Sequence, residues 1–528
     1  MARETYLDKC RGAWAGQMIG VAYGGPYEFT VTGRIQDEPI RPWKPEHIRG
    51  ALCQDDLYVE SIWLDALDRY GLDITPAQAG QAFADTDCGL EHANNAGREN
   101  VRRGILPPMS GHPDHNRHAD DIDFQIESDL FGIICPGLPR ESNRLCDTFG
   151  HIMNYGDGVY GGMFVAGMYA AAYFESSDVE TVVRGGLACL PADSRYARMV
   201  RDVIGWYHQH PEDWRATWHA VEKRWQDDED CVPGSPFNID ATINGAYVVL
   251  SLLHGQGDLA KTLEIGVRCG QDSDCNPATA AGVLGCMKGL KSLPAEYTAD
   301  LAAIGAQPFC GSYHSFEQAV EASRILAEKM IVRAGGQVGS AGSAESAGQI
   351  PAGGAGSSDD VWLIPVQQPS PARLEQWENQ RPALAIAIPQ TEVDSWDPRW
   401  RVLSCGHEMG PGYKPDFAGV EHVLLLVPRR DGPAVMEGEL EVPPDAKVMR
   451  IPVSSFGSDG HWVGDFRLKV LIGGDPGADE VIRTFGRFQS RTVDVTRYAG
   501  RKVMVRIEVH QENDYHWERA YFGRVTFE

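Results

Sequence analysis

Gln54-Asp55-Asp56 and Asp272-Ser273-Asp274 are two acidic clusters, each placed where an apolar helical pattern begins. Leu57 to Leu67 follows the first and Ala278 to Leu284 the second. Carboxylates in the first turn of a helix complement the positive end of its dipole, which accounts for one or two of them. Four at two such starts exceed what capping needs. A packed core would bring the two starts together only at a high electrostatic cost, which a hard divalent cation held by oxygen ligands removes. The sharp expectation is a shared metal site at converging helix N-termini. The plain alternative is two separate, solvated acidic caps.

Other segments carry groups suited to the same chemistry. Gly20-Val21-Ala22-Tyr23-Gly24-Gly25-Pro26-Tyr27-Glu28-Phe29 follows a first helix that starts near Tyr6. Gly156-Asp157-Gly158-Val159-Tyr160-Gly161-Gly162 forms a second glycine-rich block. A polar stretch from Glu91 to Asn100, with Asn95 at its centre, leads to a histidine-bearing loop and then to His118–Asp129. Ile122, Ile126 and Leu130 recur at i, i+4, i+8 and predict a helix there. On it Asp123 and Glu127 are like charges four apart. Asp123 is a candidate general acid/base or part of a solvated acidic face. His112, His115 and His118 match no tetrahedral zinc spacing with a cysteine pair and read as polar loop residues.

In order and separation, the Gly20–Phe29, Gln54–Asp56, Gly156–Gly162 and Gly270–Pro277 blocks resemble the ADP-ribosylglycohydrolase family, which includes the enzyme that reactivates dinitrogenase reductase. The resemblance spans roughly residues 5 to 330. It implies an all-α bundle with two magnesium ions in a cleft, and it places Asp55, Asp56, Asp272 and Asp274 on the family's carboxylate ligands. Glu28 matches a glutamate associated with the substrate ribose and bound water. The family's two threonine ligands are absent: Gln54 stands at one and Cys275 at the other, with Asn276 offering an oxygen one step on. A thiol suits magnesium poorly, so one ion, or a calcium ion, also fits the pattern. Asp157 replaces an asparagine of the family's Gly-Asn-Gly, and the arginine that should follow is missing. A carboxylate there would repel a diphosphate. Glu28, Asp123 and Asp157 are the candidate proton-handling groups; Asn95, Gly158, Tyr160 and Cys275 are the candidates for substrate contact.

The elements that must carry these residues are legible in the pattern. Helical periodicity runs to Phe316–Val332, and residues 334 to 358 are almost entirely Gly, Ala, Ser and Gln. Beyond them, Val420–Val427, Val435–Val442, Ala446–Val453, Phe466–Ile472 and Val503–Val509 are short β-rich runs between Gly, Pro and Asp turns. The expected architecture is multidomain: an all-α bundle over residues 1–333, a linker over 334–360, and an all-β jelly-roll sandwich over 361–528. The sandwich is loosely similar to galactose-binding-like carbohydrate modules. Trp396, Trp400, Trp462, Tyr515, Trp517 and Tyr521 are sugar platforms there or its core.

A formal net charge of −26 argues against nucleic-acid and anionic-membrane partners. There is no 18-residue apolar run and no signal-peptide core after Met1-Ala2-Arg3-Glu4. The 12 cysteines are scattered without C-x-x-C pairs, which suits reduced thiols in a cytoplasm. Within these limits the family resemblance implies a metal-dependent hydrolase, magnesium first and calcium second, with one or two ions. It would cleave the anomeric bond of a ribose-like or other small glycoside, with the homo-oligomeric state left open. Hydrolysis of ADP-ribosyl proteins or ADP-ribose derivatives is the alternative, and a non-catalytic ADP-ribose or sugar-binding protein is a third reading.

Overall fold

The computed structural model describes the chain except residues 227–236, 341–359, 376–389, 407–409, 429–431, 456–463, 485 and 513–517. It divides into two compact units. One comprises Met1–Gln226 with Ile239–Arg381, the other Asp227–Asn238 with Pro382–Glu528.

The first unit is helical. Its site-bearing helices are α1 (Arg3–Gly24), α2 (Asp55–Tyr70), α3 (His92–Arg102), α4 (Asp123–Ile126), α5 (Asp157–Ala172), α6 (Arg195–Gln209), α7 (Ala241–Gly255) and α8 (Cys275–Lys288), followed by α9 (Phe316–Arg333). Helix α1 is buried on nearly every side. Gly12, Gly16, Gly20 and Gly24 recur every four residues and so share one face. A Cβ at Gly12 would stand 2.8 Å from the Gly285 carbonyl carbon, at Gly16 2.6 Å from that of Ala281, and at Gly20 2.5 Å from Ala278 N. The absence of side chains lets the backbones of α1 and α8 touch along their length. That contact fixes where the Asp272–Asp274 turn, at the head of α8, meets the end of α1.

The His118–Asp129 stretch, expected as one helix, is instead a turn, the short α4 and the start of a separate five-residue helix over Asp129–Ile133. Ser128 interrupts it and bonds Gln125 O through its hydroxyl at 3.1 Å. Both halves are buried, so the apolar period recorded burial rather than helical continuity.

The boundary after the helices also differs from expectation. Gln337–Ser340 pairs antiparallel with Asp360–Leu363, and Trp362 lies buried 4.7 Å from the Tyr6 ring of α1. Met1 N donates to Trp362 O at 2.8 Å, and Trp362 N to Met1 O at the same distance. Gln367 N bonds Gly137 O and Ala372 N bonds Cys189 O. Residues 360–375 thus belong to the helical unit, because their backbone groups and their tryptophan are satisfied there. The rest of the Gly-rich segment, 341–359, lies outside the described residues.

The second unit holds two antiparallel sheets. One runs in the order Trp400–Ser404, Ala434–Glu441, Lys502–Gln511, Phe466–Ile472, Asp475–Ile482. The other runs Gln489–Asp494, Val448–Ser455, Ala520–Phe522, Val420–Leu426, Gly412–Phe417, with Thr526–Phe527 also on Val448–Ser455. Alternate residues such as Phe466, Leu468, Val470 and Ile472 enter a single core with Leu424, Ile451 and Val505. Trp396, Trp400 and Tyr521 are buried in that core, which favours the second of their two expected roles, core over sugar platform. Trp462, Tyr515 and Trp517 lie outside the described residues.

Cys53 and Cys310 form a disulfide, with Cα atoms 4.8 Å apart and 257 positions separating them in sequence. This corrects the expectation that every cysteine is a free thiol. Spacing carried no hint of it, since the pairing joins the second residue before α2 to a turn ahead of α9.

Candidate functional site

The two acidic helix starts converge. Carboxylate oxygens of Asp55 and Asp56 lie within 4.8 Å of each other and of Cys275 Sγ, and those of Asp272 and Asp274 form a second such group with the same sulfur. Asp56, Asp272, Asp274, Cys275 and Asn276 are buried, while Asp55, Gln54 and Glu28 are half-buried. Local bonds set the orientations. Asp55 Oδ1 accepts from Asp56 N at 3.2 Å, and Asp272 Oδ1 from Cys275 N at 3.2 Å. Asn276 Nδ2 donates to Asn244 Oδ1 at 2.8 Å, which turns its carbonyl oxygen the other way.

The Glu28 loop is stitched to the second cluster. Phe29 N donates to Gln271 O at 3.0 Å, and Gln271 N to Val31 O at 2.9 Å. Gly270, at φ +82°, makes that approach feasible, because a Cβ there would sit 2.7 Å from Val31 O. Burial raises the Glu28 carboxyl far above its ordinary range, and the Asp274 and Asp55 charges add to this. Burial likewise raises Asp55, and it raises Asp56 and Asp274 strongly with help from their acidic neighbours. Asp272 is pushed up to about 7 by burial, with Glu28 adding to it. Among the described residues, none of these five carboxylates pairs with a lysine or arginine.

The fit to a divalent cation can be judged on the oxygens. Asp56 Oδ2, Asp274 Oδ1 and Asn276 Oδ1 are buried and accept no hydrogen bond. A buried oxygen without a donor costs about 1–3 kcal/mol, more if charged, unless a cation satisfies it. The donor set therefore fits a dication. Cys275 is the departure, since its sulfur belongs to both groups where a hydroxyl would suit magnesium.

Other expected site residues are committed elsewhere. Asp157, at the start of α5, accepts from Tyr196 N at 3.0 Å and faces Arg195 Nε at 4.0 Å. It anchors α6, and its charge is offset, contrary to the expectation of a bare carboxylate beside substrate. Tyr160 OH donates to Arg373 O at 3.1 Å and accepts from Glu375 N at 2.8 Å. Glu375 also accepts from Gly156 N at 2.6 Å and contacts His151 Nε2 at 2.7 Å. Gly158 packs against Asn154, whose Nδ2 would be 2.5 Å from a Cβ there. The Gly156–Tyr160 block is thus covered by the 373–375 segment, which the sequence pattern had assigned to the sandwich.

Asp123 and Glu127 are buried rather than solvated. Asp123 Oδ1 accepts from Asn94 N at 2.9 Å, and Glu127 accepts from the Asn94 side chain. Burial, with Asp121 adding to it, pushes the Asp123 carboxyl up to about 7. Asn95, half-buried on α3, is the neighbour of the residue that makes these contacts. Sequence reasoning also missed a deeper acidic pair, Glu60 and Asp129. Glu60 accepts from Leu130 N at 2.5 Å, and Asp129 from Tyr169 OH at 2.6 Å. The signal available was a glutamate on the apolar face of α2.

His118 lies in a turn, as expected, but it is not a solvated loop residue. It is almost fully buried, and its Nδ1 lies 2.7 Å from Asp121 Oδ2, with His92 Nδ1 3.4 Å from the same oxygen.

The ADP-ribosylglycohydrolase family model matches residues 2–334, and the chain belongs to that family. Its helical unit is a glycohydrolase-type domain. One similar solved structure is described as an ADP-ribosylglycohydrolase-related protein complex, at 15% identity, covering 62% of this chain and 99% of that one, with a TM-score of 0.43. No curated protein matches. Among the described residues, no helix is long and apolar enough to cross a membrane.

Proposed function

We propose that the chain is a divalent-metal-dependent glycoside hydrolase that cleaves the anomeric bond of a small, uncharged, ribose-like glycoside. The observation that carries this reading is the convergence of Asp55, Asp56, Asp272 and Asp274 around Cys275, beside Glu28. Those four carboxylates, with Asn276, would hold the cation, and Gln54 stands at their edge. A dication held there would polarise a sugar hydroxyl or a water and offset the buried negative charge.

Glu28 is the proton-handling group. Burial and its acidic neighbours favour its protonated form, which can donate to the departing oxygen and then recover a proton from the water that replaces the aglycone. The surrounding carboxylates favour the positive charge that develops on the sugar ring. Two observations support a small neutral substrate. No lysine or arginine pairs with the cluster among the described residues, and the Gly156–Tyr160 block is covered by residues 373–375.

Removal of ADP-ribose from a modified protein is the second reading. It is favoured by family membership and by Arg195, which offsets the Asp157 charge that would have repelled a diphosphate. The second unit is read as a galactose-binding-like carbohydrate module on its two-sheet architecture, and a glycan array probed with the full chain tests it.

The decisive experiment compares release of aglycone from a furanoside panel with release of ADP-ribose from ADP-ribosyl-arginine and ADP-ribosyl-serine peptides. Furanoside turnover that disappears on chelation and falls about 10²–10⁴-fold in Glu28→Gln supports the proposal. Faster ADP-ribose release, or activity that survives chelation, overturns it.

A further inference from the structure

His92, His118 and Asp121 form a compact group apart from the carboxylate cluster. The three donor atoms lie within 4.8 Å of one another, and the two rings meet edge to face with centroids 5.4 Å apart. Asp121 also belongs to a second group, with Asp120 and Asp240.

Several elements fix the arrangement. Asn116 Oδ1 accepts from His118 N at 2.9 Å, while its Nδ2 donates to Ala93 O and Met153 O. That one side chain ties the His118 loop to the start of α3, where His92 sits. Asp121 bridges to Asp240 at the head of α7, and Ile122 N donates to Ile239 O at 2.9 Å. Arg117 Nε donates to His118 Nε2 at 3.3 Å, which leaves the ring proton on Nδ1 facing Asp121, and a metal bound there would replace that proton. Asp123, buried and with Oδ2 accepting no hydrogen bond, feels the charges of both His92 and Asp121.

We propose that His92, His118 and Asp121, backed by Asp120 and Asp240, form a second metal site that takes a transition-metal dication such as zinc. Two imidazoles and a carboxylate are the donors of zinc and of non-haem iron rather than of magnesium or calcium, which prefer oxygen throughout. The extra acidic groups around Asp121 supply the negative field that a dication needs. Nothing in this assignment rests on the glycosidase reading, and failure of that reading leaves it standing.

The test uses the full chain, stripped with a chelator and held in excess Mg2+ to occupy the oxygen-rich cluster. Zn2+ is titrated against a chromophoric competitor in the wild type, His118→Gln, His92→Gln and Asp274→Asn. The wild type and Asp274→Asn should each retain one tight zinc. Each histidine variant should bind it at least about tenfold more weakly, since even outer-sphere partners of a ligand are worth about 10- to 100-fold. Zinc-edge X-ray absorption of the wild type should show two imidazole scatterers. An oxygen-only shell overturns the proposal, as does unchanged zinc affinity in both histidine variants. If a variant loses its circular-dichroism signature, the wild-type spectrum alone decides.

Discussion

Gly24→Ala probes the physical device that builds the acidic site. Gly24 has φ −84° and ψ −30°, which alanine adopts freely, so space alone demands glycine here. A methyl group would stand 2.5 Å from Asp274 Cα and 2.7 Å from the Ser273 carbonyl carbon. Carbon atoms rest about 3.5–4.0 Å apart, so the Asp272–Asp274 turn must retreat by about 1 Å. Overpacking of this kind costs roughly 1–3 kcal/mol. Alanine's better helix propensity returns roughly 1 kcal/mol of it. The larger effect falls on the site, where a displacement of about 1 Å lowers turnover on the order of 100-fold. Gly205→Ala is the control. It lies within α6, nothing stands within 4 Å of its added methyl, and it should stabilise the protein by about 0.5–1 kcal/mol. Urea denaturation, calorimetric Mg2+ titration and glycoside turnover read the three quantities. A Gly24→Ala protein with wild-type stability and metal affinity would refute the argument that backbone contact positions the carboxylates.

In chelated protein, Asp272 has a folded pKa of about 7 against an ordinary 3.8, so the folded state holds the proton more tightly. Its contribution is fully present below pH ~4 and is lost as pH rises through ~7, an upper limit of about 4 kcal/mol. Urea denaturation at pH 5 and pH 8 should show this loss, and a smaller one in Asp272→Asn; identical pH dependence in the two would contradict it. Cys275→Thr replaces sulfur with a hydroxyl between the two carboxylate groups, and calorimetry should find Mg2+ bound about tenfold, or ~1.4 kcal/mol, more tightly. Trp362→Ala removes a buried ring from Tyr6 and should cost about 3–5 kcal/mol of the helical unit's stability by thermal denaturation. For the same reason a fragment ending at residue 333 should melt below one ending at 381, and equal melting temperatures would return residues 360–375 to the sandwich.

Much of the fold was legible because it follows from local pattern. Leu57–Leu67 lies within α2 and Ala278–Leu284 within α8, and Phe466–Ile472 is a strand with those bounds, since burial on one face or one stripe writes a period into the chain. The acidic pairs at Asp55-Asp56 and Asp272–Asp274 were readable as well, because helix starts concentrate carboxylates and a matching motif order narrows the meaning. Other features depended on distance in space. No local period tells that Glu375 reaches back to Gly156 N, that Cys53 bonds Cys310, or that Trp362 covers Tyr6. Asp157 looked like a site residue because its neighbours in sequence are glycines, yet Tyr196 and Arg195 claim it from another helix. His92 and His118 are 26 positions apart at no ligand spacing, and only the Asn116 tether and the Asp121–Asp240 bridge bring them to one carboxylate. Sequence alone determined the elements with a clear apolar period, such as α2, α8 and Phe466–Ile472, and which helix starts carry charge. The tertiary structure decided which buried polar groups satisfy one another and which are left without a donor, because that depends on packing between segments that no sequence period links.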